Sequence, residues 1–349
     1  MQIDQSIKGA RRVRNFSFLL GLILILVFLS ACGKAGDTKT TTASAAPSTT
    51  STGEVKRSVP TVLNYGYIGT NKLNFPTGAE GWGFYKGIIQ EELKKYGITE
   101  VKLTGFPNGP DQSESLISGR LDLGSLGDTP AILARSTGAK TRLITQGATD
   151  SIAYLIGKKN GPKTIADLKG KTIAIQKGSF MHRYIAGLLK EQNITDVKLI
   201  HMLRPDGEAA LARGEVDAMT NTGIPVLKQL DQGYTNLDDA TKHPNLIGTS
   251  ATVVSEEYLK KFPDFAKVWN DARLKALNDL LSKPEEYYKF AEQVTGNSAE
   301  LIKKTAPIEL IKKVNFTDDG IKLLEGTKKF LVDEKLSEKD FNLTDWILK

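Results

Sequence analysis

The stretch LDLGSLGDTPAILARSTGA, residues 121–139, joins a short apolar run to a turn of small polar residues and to a helix that begins near a proline. The turn contains Gly127, Asp128 and Thr129. Either Asp128 or Thr129 can cap the helix, and Pro130 suits its first turn. The first N–H groups of a helix lack intrahelical partners and carry partial positive charge. Such a turn therefore either caps the helix alone or also binds an anion.

Residues 176–180, QKGSF, repeat this arrangement, with Gly178 in the turn and Ser179 as the N-cap of the next helix. Open α/β sheets bind ligands outside the carboxyl ends of their strands, where both turns are expected. Two such helix starts facing each other would bind an anion without a lysine or an arginine. On the turns alone, capping is the commoner role of Ser179 and Thr129.

The body of the chain alternates strand-like and amphipathic helix-like segments, a pattern typical of an α/β fold with mostly parallel sheets flanked by helices. Residues 110–130 align without gaps to residues 205–225, which indicates the same unit in each of two lobes. The coinciding positions are Pro110/Pro205, Asp111/Asp206, Leu116/Leu211, Gly119/Gly214, Asp122/Asp217 and Pro130/Pro225. We expect lobe 1 at residues 60–148 and 253–349 and lobe 2 at residues 149–252, with crossings near 147–153 and 248–254.

The first residues have the layout of an export signal. A basic segment precedes the apolar run FSFLLGLILILVFL, which is shorter than the ~20 residues that a bilayer core requires. Cys32, the only cysteine of the chain, follows LSA in what resembles a bacterial lipobox. The resemblance implies a lipoprotein signal peptide at residues 1–31 and lipidation of Cys32. Residues 32–59 are rich in Thr, Ser and Ala, so we expect a flexible tether that holds the body on the extracytoplasmic face of the cell membrane.

Several classes of chemistry are disfavoured by the sequence. The formal net charge is +7, but no Lys/Arg block is interleaved with aromatic residues, so we expect no nucleic-acid partner. Gly170-Lys171-Thr172 lacks the earlier glycine of a P-loop, because position 165 is Ile165. The three histidines lie far apart in sequence, and neither zinc-ligand spacing nor a Gly-x-Ser-x-Gly elbow occurs. We expect no metal, no cofactor and no catalytic residue, hence a binding protein rather than an enzyme.

Three segments resemble the aliphatic sulfonate, taurine and nitrate-binding family of ABC-transporter solute-binding proteins, and the sulfonate branch fits best. They are GFPNGPDQSESLISGRLDLGSLGDTPAILARSTGA (105–139), IADLKGKTIAIQKGSFMHRYIAGLLKE (165–191) and RGEVDAMTNTGIPVL (213–227). The resemblance implies a two-lobed periplasmic-binding-protein fold that closes around a small organic anion and delivers it to an ABC permease. It also implies ligand contacts from Thr70, Asn71, Gly127, Asp128, Thr129, Gly178, Ser179, Asn221, Thr222 and Gly223.

Two segments depart from the family pattern. Residues 221–226 read NTGIPV where relatives often have an aromatic-Asp-Pro-Tyr-like sequence, and the turn at 69–83 is longer and richer in glycine than usual. Trp82, Phe84 and Tyr85 could form an apolar wall for the ligand's organic part, although core positions on a helix are their commoner role. The alternatives are the same fold binding a nitrate-like anion or a thiamine pyrimidine precursor, or a ligand-sensing lipoprotein. We expect a monomer.

Overall fold

A computed structural model describes residues 58–348 of the chain. The predicted signal peptide, Cys32 and almost all of the predicted tether lie outside these residues. The described body contains two five-stranded sheets, each flanked by helices. The expected α/β architecture with two lobes is therefore confirmed.

The first lobe begins with alternating strands and helices, each apolar face turned toward the sheet. Its elements in chain order are β1 (Val62–Ile68), α1 (Gly78–Tyr85), α2 (Ile88–Lys94), β2 (Glu100–Phe106), α3 (Gly109–Ile117), β3 (Leu123–Gly127), α4 (Asp128–Ser136) and β4 (Thr141–Thr145).

The second lobe follows after the first crossing. Its elements are β5 (Tyr154–Gly157), β6 (Lys171–Ile175), α5 (Phe180–Glu191), β7 (Val197–His201), α6 (Arg204–Arg213), β8 (Ala218–Asn221), α7 (Ile224–Asp231) and β9 (Thr235–Asp239). Three short 3₁₀ helices, Ile165–Leu168, Ala240–Lys242 and Pro244–Leu246, complete it.

The chain then returns to the first lobe and ends in helices. These elements are β10 (Ser250–Ser255), α8 (Glu256–Lys261), α9 (Phe265–Ser282), α10 (Pro284–Thr295), α11 (Ala299–Thr305), α12 (Asp318–Asp333) and α13 (Leu343–Trp346), with a 3₁₀ turn at Ile308–Leu310. Helix α9 buries Phe265 and Trp269 against residues of β1, and α12 and α13 pack beside β10 and β4. The C-terminal helices thus pack on the sheet of the first lobe.

The two sheets have the same strand arrangement. Their orders are β2-β1-β3-β10-β4 and β7-β6-β8-β5-β9. In each sheet four strands run one way, and the fourth strand in order runs against its neighbours. That reversed strand, β10 or β5, is the one that the chain enters directly after crossing between lobes. The crossings therefore place one reversed strand in each of two otherwise parallel sheets.

The internal repeat has a structural basis. Asp122 and Asp217 each precede the third strand in the order of their sheet, β3 or β8. The carboxylate accepts a backbone N–H from the neighbouring second strand, from Asn64 of β1 at 2.8 Å and from Thr172 of β6 at 3.0 Å. Gly119 and Gly214, three residues earlier, have φ of 71° and 76°, a left-handed conformation that favours glycine. The shared Gly-x-x-Asp therefore forms the same helix-to-strand connection twice.

Two segments cross between the lobes side by side. Ser151 and Gly248 exchange two backbone hydrogen bonds of 2.9 Å, and the Ser250 N–H donates to the Ala148 carbonyl. Strand β10 pairs with β3 from Ser250 onward, so the return to lobe 1 comes at Ser250 rather than at residue 253.

Among the described residues, we find no helix with the length and apolar character to cross a membrane.

Candidate functional site

A cavity of about 470 Å³ lies between the two lobes. Its volume is in the range of small-ligand sites. The wall from lobe 1 includes Tyr65, Glu80, Asn108, Ser125, Gly127, Thr252 and Arg273, and the wall from lobe 2 includes Gln176, Ser179, Phe180, Met181, Arg204 and Thr222. We call this cavity the inter-lobe cleft.

The start of α5 faces the cleft. Ser179 caps this helix, since its Oγ accepts from the His182 N–H at 3.2 Å and donates to the Gln176 carbonyl at 2.7 Å. Phe180 and Met181 follow it, and both line the cleft. Their N–H groups belong to the first helical turn and have no intrahelical partner. The predicted N-cap is confirmed, and the helix start presents backbone donors to a ligand.

Arg204 brings positive charge to the second-lobe wall. It is the first residue of α6, and its Nε is buried without a hydrogen-bond partner within residues 58–348. Burial lowers the pKa of Arg204, although the Glu208 carboxylate opposes this shift, and an arginine stays charged at neutral pH. His182 adds no comparable charge, because burial, Lys177 and His201 all lower its pKa. The guanidinium therefore adds to the positive potential at the start of its own helix.

The first-lobe wall carries an ion pair and hydroxyl groups. Arg273 of α9 is 1% exposed, and its Nε donates to the Glu80 carboxylate at 3.0 Å. Ser125 Oγ and Thr252 Oγ1 lie 2.9 Å apart on neighbouring strands. Burial, with Glu80 acting in the same direction, raises the pKa of Tyr65 well above its usual range, so its hydroxyl stays protonated. This wall can donate hydrogen bonds without adding much net charge.

Asp128 lies behind the cleft instead of in it. Its side chain is fully buried, and one carboxylate oxygen accepts from the Thr249 N–H at 2.9 Å. The other accepts from the N–H and hydroxyl of Thr129, itself 1% exposed. The Asp128 N–H donates to the Thr249 carbonyl at 2.8 Å. Helix α4 begins at Asp128 with Gly127 as its N-cap. The Asp128 and Thr129 N–H groups, expected to face a ligand, instead donate to the Thr249 carbonyl and to the Asp128 side chain.

The other predicted site residues divide into two groups. Gly127, Ser179 and Thr222 line the cleft. The remainder have other contacts: Thr70 is exposed, Asn71 bonds to the Phe75 backbone, Gly178 packs against Pro110, Asn221 is fully buried against Glu208 and Gln229, and Gly223 caps α7. The residues of this second group do not line the cleft.

Two glycines of the 69–83 segment, Gly81 and Gly83, allow close packing. A Cβ on Gly81 would lie 1.9 Å from the Pro76 carbonyl oxygen, and one on Gly83 would lie 2.7 Å from the Cβ of Ala276 in α9. Trp82 and Phe84 are buried in the apolar clusters of lobe 1, and Tyr85 stacks on Phe290 at 4.6 Å. None of these three aromatic residues lines the cleft. Trp82 and Phe84 have the expected core role, whereas Tyr85 is 47% exposed.

Two arginines of the cleft, Arg204 and Arg273, are absent from the sequence-based prediction. Arg204 occupies the position equivalent to Gly109 in the internal repeat, and both line the cleft. The repeat therefore contained a signal for Arg204. Arg273 lies in the middle of a long helix, where its charge resembles that of any surface arginine. Only the packing of α9 on the first sheet places it at the cleft.

Two similar α/β lobes, joined by adjacent crossings and enclosing a polar cleft, define a protein with the periplasmic-binding-protein fold. The chain belongs to the NMT1/THI5-like family, whose model matches residues 82–287.

Two relatives have names that refer to the binding of aliphatic sulfonates. An aliphatic sulfonates-binding protein of Escherichia coli (strain K12) is 35% identical over 148 residues, which cover 39% of this chain and 46% of that protein. One of the same name from Bacillus subtilis (strain 168) is 25% identical over 269 residues, which cover 74% of this chain and 79% of that protein. The first alignment thus spans less than half of its partner, whereas the second extends over most of both chains.

Solved structures agree on the fold. The alkanesulfonate-binding protein SsuA from Xanthomonas axonopodis pv. citri, bound to MOPS, has a TM-score of 0.68 at 22% identity and covers 83% of this chain and 99% of that chain. The desulfurization enzyme DszB has a TM-score of 0.62 at 16% identity, and the matched part covers 82% of this chain and 96% of the DszB chain. The fold is therefore shared by binding proteins and by an enzyme.

Proposed function

We propose that this protein is the extracytoplasmic solute-binding component of an ABC importer and that it captures an aliphatic sulfonate for a membrane permease. The observation that carries the proposal is Arg204, which lines a cleft of about 470 Å³ and whose buried guanidinium Nε has no hydrogen-bond partner within residues 58–348. The same cleft is lined by Gln176 and by the start of α5, with the first-turn N–H groups of Phe180 and Met181. A sulfonate is fully ionised at neutral pH and offers three acceptor oxygens, which matches several converging donors.

The organic part of the ligand would contact the first-lobe wall. This wall combines apolar surface from Pro76, Ala79 and Ile311 with the hydroxyls of Ser125 and Thr252. The Glu80–Arg273 pair leaves this side nearly neutral, so charge attraction acts mainly at the second lobe. A short alkyl chain, bare or with a polar substituent, fits this division of the cleft.

A role in binding rather than catalysis is part of the proposal. The predicted lipid anchor at Cys32 would hold the protein near a permease, and the predicted tether would let it diffuse around the attachment point. Sensing of the same ligand by a lipoprotein that signals to a membrane kinase would use the same cleft. A permease and an ATPase encoded beside this protein would favour transport.

Native mass spectrometry of freshly purified protein tests whether a small anion occupies the cleft. An Arg204→Gln variant should lose a co-purified anion that the wild-type protein retains, because glutamine keeps hydrogen-bonding capacity but removes the charge. Arg213→Gln is the matched control, since Arg213 ends the same helix, and its guanidinium pairs with Glu215 at the surface. Retention of the anion by Arg204→Gln would contradict the proposed site.

A further inference from the structure

Ile224 extends from the second lobe onto the first. It is the first residue of α7 and is half-buried, packed against an apolar cluster that belongs entirely to lobe 1. We call this the aromatic cluster, and it consists of Trp82, Leu280, Tyr287, Tyr288, Phe290, Ala291, Val294, Ile302 and Ile308. Beside it, Lys228 Nζ donates to Asn297 Oδ1 at 2.6 Å, also across the lobes. The lobes are therefore in direct contact away from their crossings.

The backbone before Ile224 is specialised for this contact. Gly223 has φ 69° and ψ −148°, a combination that is essentially restricted to glycine. Thr222, the preceding residue, lines the inter-lobe cleft. Thr222 and Gly223 thus connect the cleft directly to the lobe contact at Ile224.

The aromatic cluster is a preformed surface. Trp82 is anchored by its indole N–H, which donates to Asp279 at 2.8 Å, and Phe290 contacts it edge-on at 5.9 Å. Phe75, half-buried, packs against the same cluster. Both segments that depart from the family pattern, 69–83 and 221–226, therefore meet here, although neither supplies most of the cleft wall.

We propose that Ile224 is a positioning residue for ligand capture, whose docking on the aromatic cluster stabilises the closed arrangement of the lobes. This inference rests on the proposed function, because it assigns the contact to closure around a bound solute. A contact made only in the closed state raises the population of that state. A ligand that needs the closed state then binds more tightly by the same factor.

Interlobe distance in the ligand-free protein tests the contact without assuming any ligand. Spin labels are attached to Asp231→Cys in α7 and Lys289→Cys in α10, in a full chain that also carries Cys32→Ser. Pulsed electron paramagnetic resonance then measures the distance between the two labels. Ile224→Ala should shift the distribution to longer distances, whereas Ile224→Leu should leave it near that of the parent. Leu230→Ala is the matched control, since Leu230 lies in the same helix but packs within lobe 2.

Titration with 1-propanesulfonate gives the second readout. Ile224→Ala should weaken binding about tenfold, a magnitude expected for truncation of a half-buried isoleucine. Leu230→Ala should lower thermal stability without this loss of affinity. An unchanged distance distribution in Ile224→Ala, or an equal shift in Leu230→Ala, would overturn the inference. If no variant binds the sulfonate, the proposed ligand fails, but the distance measurement still decides the role of Ile224.

Discussion

Asp128 Oδ2 and Arg183 Nη2 lie 3.8 Å apart, and both side chains are fully buried. Asp128 begins α4 of the first lobe and Arg183 lies in α5 of the second, so the pair joins the lobes beneath the cleft. Arg183 also donates to the carbonyls of Asn245, Leu246 and Ile247, which lead into the second crossing. The pair thus ties the crossing segment to both helices.

Replacing Asp128 by Asn should destabilise the protein by about 3 kcal/mol, because it leaves the buried Arg183 charge without its counterion. Unfolding in urea measures this change. Asp231→Asn, at an exposed site in α7, is the control and should have little effect. A variant of normal stability that had lost sulfonate affinity would instead support the ligand contact predicted from the sequence.

The two helix starts of the sequence motif should respond differently to truncation. Ser179→Ala removes an N-cap beside the cleft and should cost about 1 kcal/mol of stability together with a severalfold loss of sulfonate affinity. Thr129→Ala removes a hydroxyl whose one hydrogen bond within residues 58–348 goes to Asp128, and it should lower stability alone. Parallel thermal unfolding and titration calorimetry compare them. Equal affinity losses in both variants would mean that α4 also faces the ligand.

Asp217 should make a pH-dependent contribution to stability. Burial alone would raise its pKa, but Lys158 at 2.8 Å and the Thr172 N–H lower it. A lowered folded-state pKa means that the contribution is present above the unfolded value of ~3.9 and is lost as the pH falls through the folded value. Asp217→Asn should therefore cost about 1 kcal/mol at pH 7, and this cost should shrink as the pH falls below ~3.9. A cost independent of pH between these limits would contradict the assignment.

Cys32 tests the membrane attachment proposed for the chain. Cys32→Ala should leave the protein unprocessed or release it from membranes, since no other cysteine could carry the lipid. Intact mass and detergent partitioning of the wild-type and variant proteins measure this. Unchanged mass and partitioning in the variant would count against a lipid anchor.

Local patterns predicted the repeated parts of the fold well. The Gly-x-x-Asp connections at Asp122 and Asp217 and the cap at Ser179 depend on nearby residues, which the sequence displays directly. Which residues line the cleft depends instead on contacts between residues far apart in sequence. Asp128 begins a helix as predicted, but its carboxylate accepts a hydrogen bond from the N–H of Thr249, which lies far along the chain. Arg273 reaches the cleft only because α9 folds back onto the first sheet, and a single sequence carries no signal for that placement.

The central claim is that the cleft recognises a negative charge, and paired ligands of nearly equal shape test it most directly. Titration calorimetry of the purified full chain should detect binding of 1-propanesulfonate and at least a hundredfold weaker binding of 1-propanesulfonamide, which keeps the alkyl chain but is uncharged at pH 7. Loss of the ligand's charge would leave Arg204 and the α5 N–H groups poorly satisfied. Equal affinity for the two compounds, or preference for a neutral pyrimidine precursor, would contradict the account.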